Sequence, residues 1–471
     1  MNQYDLIVIG SGPAGRRAAI QAAKLDKQVL VVERGRRVGG VSVHTGTIPS
    51  KTLRETALNL TGWRERGFYG RGYRVKQEIS IDDLRRRLLI TLDHEVDVLE
   101  HQFSRNRVHQ IRGSAKFVDA KTIEIEKDDG EVLHAKGGSI LLAVGTKPYR
   151  PDNIPFDGES IIDSDELLEI KKLPRSMVVI GAGVIGIEYA TIFSALDTTV
   201  TVVEGRDTML DFIDKEIVDD FSYQLRDRNM KLIFGQTIDS IEKEVSGKCR
   251  VTLANGRVLN AEMVLYAAGR SGATETLNLE AIGLVPDKRG RIKVDPETFQ
   301  TDIPGIYAAG DIVGFPALAS TSMEQGRIAA RHAVNAPARE PPQYFPYGIY
   351  AVPEISTCGM SEEEVTQRGI PYECGIAHFR ETSRGHIMGL DTGMLKMIFS
   401  LKTHRLLGVH IVGEGATELV HIGQAVLNLK GTVEYFVENT FNFPTLAEAY
   451  KIAGLDAWNR MGELEEEKAA E

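Results

Sequence analysis

Residues 4–35 read YDLIVIGSGPAGRRAAIQAAKLDKQVLVVERG, and this stretch decides the fold. The apolar run at 6–9 is typical of a buried parallel strand. Three glycines follow in the order G-x-G-x-x-G, at Gly10, Gly12 and Gly15. An alanine-rich stretch of helical character comes next, and a second apolar run at 29–32 ends at Glu33. A strand, a glycine turn, a helix, a strand and an acid in this order predict a dinucleotide-binding unit.

Each part of such a unit has a physical role. The first glycine makes the tight turn, the second lets a pyrophosphate approach, and the third lets helix and strand pack closely. The phosphate lies at the helix N-terminus, where unpaired N–H groups and the helix dipole favour an anion. The acid accepts hydrogen bonds from a ribose diol. For a single copy of the motif, a glycine-rich turn without any ligand is the simpler interpretation.

The same pattern occurs a second time at residues 176–207, which read SMVVIGAGVIGIEYATIFSALDTTVTVVEGRD. Its glycines are Gly181, Gly183 and Gly186, and its acid is Glu204. In both copies the acid lies 18 residues after the third glycine. Two complete copies make the interpretation without ligands improbable. Two dinucleotide sites on one chain predict electron transfer in which the cofactors carry the chemistry.

The composition excludes several other classes of protein. The 471 residues are enough for about three domains. The formal net charge is −10, whereas nucleic-acid binders are more often basic, so no nucleic-acid partner is expected. The first strand begins within a few residues of Met1, which leaves no room for a signal peptide, and no apolar run reaches the roughly 18 residues of a membrane helix. A cytoplasmic protein without a membrane partner is therefore expected.

The cysteines do not form a metal or disulfide pattern. There are three, and they are scattered along the chain at Cys249, Cys358 and Cys374. They include no C-x-x-C pair and no spacing typical of metal ligands. The sequence therefore predicts no metal site, and it agrees with a reducing compartment.

Several motifs in the same order resemble the flavoproteins with two dinucleotide folds, the pyridine nucleotide-disulfide oxidoreductase family that includes dihydrolipoamide dehydrogenase and glutathione reductase. In chain order these motifs are GSGPAG at 10–15, GG at 39–40, PSK at 49–51, ILLAVGTKP at 140–148, GAGVIG at 181–186, LYAAGR at 265–270 and GIYAAGDI at 305–312. The resemblance covers nearly the whole chain.

The resemblance implies an α/β architecture with two Rossmann-like dinucleotide-binding domains, one for FAD and one for NAD(P), and a C-terminal α+β dimerisation domain. The FAD domain is expected at 1–150 and 270–335, with the NAD(P) domain inserted at 151–269. A proline-rich connector at 336–348 precedes the dimerisation domain, which is expected at 345–471. A homodimer or larger homo-oligomer is expected.

The resemblance also implies the site residues. The expected FAD contacts are Gly10, Gly12, Gly15, Glu33, Arg34, Gly39, Gly40, Ser42, Thr47, Lys51, Gly113, Ala115, Gly145, Asp311 and Ala319. The expected NAD(P) contacts are Gly181, Gly183, Gly186, Glu204, Arg206, Gly269 and Arg270. Lys51 resembles the family lysine beside flavin N5, and Glu188 resembles the acid that pairs with it, so both are expected to be catalytic. The simpler alternative is that these two are ordinary exposed helix residues.

The chain departs from the family's disulfide reductases at two places. Those enzymes carry C-x4-C between the glycine pair and the Pro-Ser-Lys segment, where this chain has Ser42 and Thr47 in GGVSVHTGTIPSK at 39–51. They also carry a histidine before a C-terminal proline, where this chain has Phe443, although the following Glu448 remains. Both parts of the thiol chemistry are missing together, which indicates a different path for the electrons.

A subgroup of the family shares these departures. The segments GTIPSKTLRE, TSMEQGRIAA, VHIGQAV and FNFPTLAEAYKIA resemble the soluble, Si-specific pyridine nucleotide transhydrogenases. This resemblance implies an oxidoreductase that uses FAD, NAD and NADP. Its expected reaction is hydride transfer from NADPH to NAD⁺, by a ping-pong path through flavin N5.

Some questions stay open at the level of sequence. Glu204 suits the ribose hydroxyls of NAD and repels a 2′-phosphate, while Arg206 could reach that phosphate. Three other functions also remain: a diaphorase or oxidase that passes electrons to quinone or oxygen, a thiol reductase that uses the scattered cysteines, and a non-catalytic flavoprotein that senses nicotinamide nucleotides.

Overall fold

The first glycine stretch forms a strand, a turn and a helix in the order that its sequence predicts. The computed structural model describes residues 2–470, with side chains up to residue 462. Strand β1 is Asn2–Ile9, helix α1 is Pro13–Ala23 and strand β2 is Val29–Glu33. Met1 and Glu471, the outermost residues of the predicted first and third domains, lie outside the described residues.

Further strands and helices follow along the rest of the chain. The further strands are β3 (His109–Arg112), β4 (Ser114–Asp119), β5 (Thr122–Glu126), β6 (Val132–Leu142), β7 (Thr146–Pro148), β8 (Ile161–Asp163), β9 (Ser176–Ile180), β10 (Thr199–Val203), β11 (Lys231–Ile233), β12 (Ile238–Lys243), β13 (Cys249–Leu253), β14 (Val258–Ala261), β15 (Met263–Tyr266), β16 (Arg270–Gly272), β17 (Ile306–Ala308), β18 (Tyr347–Ile349), β19 (Ile355–Gly359), β20 (Tyr372–His378), β21 (Met394–Ser400) and β22 (Leu406–Val412). The further α-helices are α2 (Gly40–His44), α3 (Thr47–Thr61), α4 (Arg66–Tyr69), α5 (Ile81–Arg105), α6 (Val184–Ala195), α7 (Lys215–Asp227), α8 (Ala319–Ala333), α9 (Glu362–Gln367), α10 (Ser383–Met388), α11 (Ala416–Asn428), α12 (Val433–Glu438) and α13 (Glu448–Ala470). None of the described helices is both long and apolar enough to cross a membrane.

The described residues form two compact units. The first unit consists of the residues up to Thr52, Arg85–Pro151 and Gly269–Pro342. The second consists of Leu53–Leu84, Asp152–Ala268 and the residues from Gln343 onward. Most of the predicted FAD domain therefore lies in the first unit, while residues 53–84 belong to the second. The second unit contains both the predicted NAD(P) domain and the predicted dimerisation domain, and the boundary between those two stays a prediction.

The first unit is built on a seven-stranded sheet. Its strand order is β3-β2-β1-β6-β5-β4, with β17 also paired to β6. Strands β3, β2, β1, β6 and β17 pair in parallel, so their carboxyl ends share the edge at which the glycine turn begins. Helices α1 and α8 pack closely, because a Cβ placed on Gly326 of α8 would lie only 2.1 Å from the carbonyl oxygen of Ala14.

The second glycine motif lies on a five-stranded parallel sheet in the second unit. The strand order is β11-β10-β9-β15-β8. The turn follows β9 and leads into α6, in which nine of 12 residues are buried. This burial explains why the α6 sequence VIGIEYATIFSA lacks a polar face. The α/β fold that the sequence predicts is therefore confirmed, with parallel strands next to both glycine motifs.

The C-terminal part of the second unit is an antiparallel sheet with the strand order β18-β19-β22-β21-β20. The segments GMLKMIFS and LLGVHIVG form β21 and β22, as their sequences predict. Helix α13 packs on β20 so closely that a Cβ on Gly375 would lie 1.9 Å from the carbonyl oxygen of Ala453. Phe399, Phe436 and Tyr450 are fully buried in the core between the sheet and its helices.

One lysine is buried within this sheet. Lys396 of β21 is only 1% exposed, and its ammonium group contacts three carboxylates. Nζ lies 3.1 Å from Asp214 Oδ1 and 2.9 Å from Glu216 Oε2, and it also contacts Glu362. Because Asp214 caps the N-terminus of α7, this charged cluster joins that helix to the C-terminal sheet.

Candidate active site

The three glycines of the first turn have different surroundings. Gly10 has a φ of 101°, which L side chains rarely adopt, and a Cβ on it would lie 2.4 Å from the carbonyl oxygen of Ala143. A Cβ on Gly15 would lie 1.9 Å from the carbonyl oxygen of Gly10. A Cβ on Gly12 would meet no atom within 4 Å. The fold itself therefore requires Gly10 and Gly15, whereas Gly12 faces open space at the N-terminus of α1, where no side chain caps the helix.

The second turn has the same geometry. Gly181 has a φ of 100°, and a Cβ on it would lie 2.7 Å from the carbonyl oxygen of Ala267. A Cβ on Gly186 would lie 2.0 Å from the carbonyl oxygen of Gly181. Gly183 faces open space, and no side chain caps the N-terminus of α6. Each turn thus leaves helix N–H groups available to an anion.

Glu33 is held at the end of β2 by the backbone around it. The amide of Ser11 donates to Glu33 Oε2 at 2.9 Å, and the amide of Gly35 donates to Oε1 at 2.7 Å. The Ser11 hydroxyl donates to the same Oε2. These bonds fix the carboxylate beside the glycine turn, where its remaining lone pairs can accept the hydroxyls of a ribose.

Glu204 is held in the same way in the second turn. The amides of Ala182 and Arg206 donate to Oε2 and Oε1 of Glu204 at 2.7 and 3.1 Å. The Arg206 guanidinium also binds both oxygens, through Nε at 3.1 Å and Nη2 at 3.2 Å, and its Nη1 lies 2.6 Å from Asp211 Oδ1. Burial opposes ionisation of Glu204, but the bonds from Arg206 and Ala182 outweigh it and lower the pKa of the carboxyl group.

The loop at 39–51 packs against the first glycine turn. The amide of Gly39 donates to the Ser11 hydroxyl at 2.9 Å. A Cβ on Gly40 would lie 2.9 Å from the Cα of Gly12, so the two backbones are in close contact there. The glycine pair is therefore required for the loop to lie beside the turn.

The polar residues of this loop make local contacts. Ser42 on α2 donates its hydroxyl hydrogen to the carbonyl oxygen of Gly39 at 3.1 Å. Thr47 is the first residue of α3, and its carbonyl oxygen accepts the hydroxyl of Ser50 at 3.3 Å. Lys51 is half-buried on the same helix, and its Nζ donates to Ser50 Oγ at 3.2 Å. Ser42 and Thr47, which the sequence resemblance aligns with the thiols of disulfide reductases, thus make only local contacts.

Four further predicted FAD contacts lie in the first unit. The amide of Gly113 donates to the carbonyl oxygen of Glu33 at 2.9 Å, which brings the segment before β4 to the end of β2. Ala115 is buried in β4, and Arg34 is exposed. Gly145 has a φ of 67° and faces open space.

Asp311 lies near the start of α8 in the same unit. It is partly buried and accepts the Ser322 hydroxyl at 3.4 Å. Burial raises the pKa of Asp311 above its usual range, although the positive charge of Arg270 opposes this. Ala319 is the first residue of α8, whose N-terminus no side chain caps.

Gly269 and Arg270 were predicted for the NAD(P) site, and both lie in the first unit. The Arg270 guanidinium donates from Nε to Thr146 Oγ1 and from Nη2 to the carbonyl oxygen of Thr146, both at 2.9 Å. The carbonyl oxygen of Gly269 accepts the amide of Tyr149 at 3.1 Å. The short sheet formed by β7 and β16 thus joins the segment before Pro151, where the first unit ends, to the segment after Gly269, where it resumes.

Glu188 is not an ordinary exposed helix residue. It lies on α6 and is only 4% exposed, and its Oε1 accepts the amide of Tyr350 at 2.9 Å. The simpler alternative is therefore wrong for this residue. Lys51 lies in the first unit and Glu188 in the second, and their pairing stays a prediction.

Phe443 and the three cysteines present neither an imidazole nor an exposed thiol. Phe443 is 69% exposed and precedes Pro444, and Glu448 begins α13. All three cysteines are buried and free. Burial raises the pKa of Cys358 and of Cys374 to about 12, and it also raises the pKa of Cys249. These thiols are therefore protonated at neutral pH and have little nucleophilic character.

Sequence reasoning missed two residues of the glycine turns. Ser11 bonds Glu33 and Gly39, and a comparison of the two copies could have found it, because Ala182 holds the equivalent position with its amide alone. Asp211 contacts Arg206 from a loop that follows β10, and no local pattern predicts this contact.

Both turns fit a dinucleotide. Each combines open space at its second glycine, an uncapped helix N-terminus and a carboxylate anchored at the end of the neighbouring strand. The first supports pyrophosphate and ribose binding in the first unit, and the second does so in the second unit.

Known proteins resemble the chain over nearly its full length. Residues 4–326 match the family described as pyridine nucleotide-disulphide oxidoreductase, and residues 345–453 match its dimerisation domain. The soluble pyridine nucleotide transhydrogenase of Mycobacterium bovis is 51% identical over 465 residues, which cover 98% of this chain and 99% of the relative. The protein of the same name from Colwellia psychrerythraea is 41% identical and covers 97% of this chain and 98% of its own length.

Solved structures share the fold. The crystal structure of LpdA from Mycobacterium tuberculosis has a TM-score of 0.88 and 24% identity, over 97% of this chain and 99% of that one. The HOCl-induced flavoprotein disulfide reductase RclA from Escherichia coli has a TM-score of 0.85 and 24% identity, over 96% of this chain and 99% of that one. At this identity the likeness concerns the fold alone.

Proposed function

Because the chain belongs to the pyridine nucleotide-disulphide oxidoreductase family, we propose that it transfers hydride between NADPH and NAD⁺ with FAD as its bound cofactor. One observation carries the proposal. The chain has two complete dinucleotide cradles, while the loop beside the first one carries Ser42 and Thr47 in place of thiols. The transhydrogenases to which the chain is 41% and 51% identical support the same reaction.

We assign FAD to the first turn and the nicotinamide dinucleotides to the second. The loop at 39–51, Gly113 and Asp311 lie in the same unit as the first turn. Together they can surround a large resident cofactor. Bound FAD would supply the hydride acceptor and donor. The second turn carries Glu204 and Arg206 side by side, which suits ligands that differ only in a 2′-phosphate.

Lys51 and Glu188 are the proposed catalytic pair. A lysine ammonium group held near the reacting ring would stabilise negative charge there. Glu188 has one oxygen occupied by the amide of Tyr350, which fixes the direction of its carboxylate. We propose that Glu188 holds the charge of Lys51 in place.

The cysteines argue against a thiol reductase. All three cysteines are free, so they form no disulfide that could accept electrons, and burial raises the pKa of Cys358 and of Cys374 to about 12, which leaves little thiolate to attack a substrate disulfide. We further propose that the protein is cytoplasmic and that it functions as a homodimer through residues 345–453, which match the family's dimerisation domain.

An anaerobic titration tests the function. Adding NADPH to the flavin-loaded protein should bleach the flavin absorbance, and adding NAD⁺ afterwards should restore it with formation of NADH. Flavin that stays reduced in excess NAD⁺ would contradict the proposal. Oxygen consumption with NADH that is faster than hydride transfer to a second nicotinamide would instead favour the oxidase alternative.

A further inference from the structure

The two glycine turns differ at the residue two positions after the acid. In the first turn, the residue two positions after Glu33 is Gly35, and it offers only its amide to the carboxylate. In the second turn, the residue two positions after Glu204 is Arg206, which offers the same amide and also its guanidinium. The difference affects only the ribose end of the second site.

The guanidinium occupies the oxygens that a ribose diol would use. Glu204 Oε1 accepts the amide and Nε of Arg206, and Oε2 accepts Nη2 of Arg206 and the amide of Ala182. Since the diol of NAD has to bond the same oxygens, NAD has to displace the guanidinium. A 2′-phosphate would instead attract it, because a guanidinium binds phosphate through paired N–H groups.

Asp211 contacts the part of Arg206 that Glu204 leaves free. Arg206 Nη1 lies 2.6 Å from Asp211 Oδ1, so the guanidinium still has a carboxylate partner when it leaves Glu204. The neighbouring Leu210 is fully buried, and its amide donates to the carbonyl oxygen of Ala182 at 3.2 Å. The backbone at Asp211 is therefore held at the second turn without help from the Asp211 side chain.

We propose that Asp211 is a specificity-determining residue of the second site. Asp211 holds Arg206 while Glu204 binds the ribose of NAD, and it releases Arg206 to the 2′-phosphate of NADP. The proposal rests on the proposed function, since both dinucleotides have to enter this site. In the free protein Arg206 bridges Glu204 and Asp211. With NAD it moves fully onto Asp211, and with NADP it leaves Asp211 for the phosphate.

An equilibrium titration of Asp211→Asn tests this role. The flavin-loaded oxidised protein is titrated with NAD⁺ and with NADP⁺ by calorimetry at low salt. Arg206 no longer has to leave a carboxylate for the phosphate, so the Kd for NADP⁺ should fall while that for NAD⁺ rises or stays. The ratio of the two should shift toward NADP⁺ by about three- to fivefold, as befits one half-exposed ion pair.

Two controls separate this role from general effects. Asp207→Asn removes the same charge from the same loop, but the Asp207 carboxylate lies beside Gly235, and this variant should leave the ratio nearly unchanged. In an Arg206→Gln background, Asp211→Asn should have no further effect, because the partner is gone. Equal shifts from Asp207→Asn, or a shift that persists without Arg206, would overturn the proposal.

Other outcomes are equally decisive. Equal weakening of both dinucleotides would mean that Asp211 only supports the loop, and two unchanged Kd values would mean that it has no role; either result overturns the proposal. The titration requires no turnover. A protein that shows the shift but exchanges no hydride therefore keeps the role of Asp211 and refutes the proposed reaction.

Discussion

Gly12 and Gly183 are glycines that the surrounding protein does not require. Their φ angles of −63° and −77° suit any residue, and a Cβ on either meets no atom within 4 Å. We expect Gly12→Ala to fold with a free energy of unfolding changed by less than about 1 kcal/mol. It should retain little flavin, because the methyl group would fill the space in which a pyrophosphate approaches α1. Flavin absorbance per chain after gel filtration measures the loss.

Matched variants make this result specific. Gly183→Ala should keep its flavin and raise the KM for both NADH and NADPH about tenfold, the effect of about 1.4 kcal/mol of lost binding. Gly15→Ala should fail to fold, because its Cβ would lie 1.9 Å from a carbonyl oxygen. If the Gly12→Ala protein retained a full complement of flavin, the assignment of FAD to the first turn would be wrong.

At the scale of single residues, spacing alone predicts the position of the two acids. Glu33 lies at the end of β2 as predicted, and Glu204 directly follows β10, because strand and helix lengths in this unit are set by local geometry. The contact of Arg206 with Asp211 was not predictable. It depends on the course of a loop in which Leu210 has a φ of 47°, and no sequence rule gives that conformation to a leucine.

Strand β21 carries its own prediction, because Lys396 is buried there among three carboxylates. Lys396→Met should lower the free energy of unfolding at pH 7 by about 3 kcal/mol, since it leaves buried carboxylate charge without a cation. In the unaltered protein, burial opposes ionisation of Asp214 and Glu362, but the charges around them, including Lys396, lower their pKa values. Their stabilising contribution is present above the ordinary carboxyl pKa and is lost as the pH falls.

The difference between the two proteins should therefore shrink toward pH 5. Without the lysine, the carboxyl groups regain higher pKa values and take up protons, which relieves their repulsion. Denaturant unfolding at pH 7 and pH 5 measures both values. Lys402→Met, at an exposed lysine after the same strand, should change stability by less than about 0.5 kcal/mol. An equal loss at both pH values for Lys396→Met would contradict the account.

Elements with a clear hydrophobic pattern were predictable, and β21 is among them. What the sequence GMLKMIFS does not indicate is that its lysine is buried. The partner Asp214 lies 182 residues away in the chain, so the contact depends on tertiary packing. A lysine within a strand pattern is ordinarily taken as solvent-facing, because lysine is almost never fully buried unless it is paired.

At the scale of the whole molecule, the two turns lie in different compact units, so their ligands should protect different parts of the chain. Hydrogen exchange at the amides of 10–16 should be slower in the protein with FAD than in the protein without FAD. Adding NAD⁺ should slow exchange at 181–187, because a ligand stabilises the segment that binds it.

The Gly183→Ala variant provides the control for exchange. It should lose the protection by NAD⁺ at 181–187 and keep the protection by FAD at 10–16. Protection by NAD⁺ that appears at the first turn alone would reverse the assignment of the two sites.

The division of the whole chain was the least predictable feature. Residues 53–84 follow the flavin loop in sequence, and the motifs placed them in the first domain. In the structure they belong to the second unit, where Leu53, Ala57 and Leu84 pack in its core. Helices α3 and α5 run without interruption across the two unit boundaries, so neither glycine nor proline marks the change.

The shared carboxylate and guanidinium of the second turn also bear on how the protein would respond inside a cell. If one pocket accepts both dinucleotides, each is a competitive inhibitor of the other, and an excess of either nucleotide slows turnover. Near saturation, flux would then be greatest when the two nucleotides occupy the site equally, and it would depend on their ratio more than on the total pool. The two nucleotides would then compete for the salt bridge between Arg206 and Glu204.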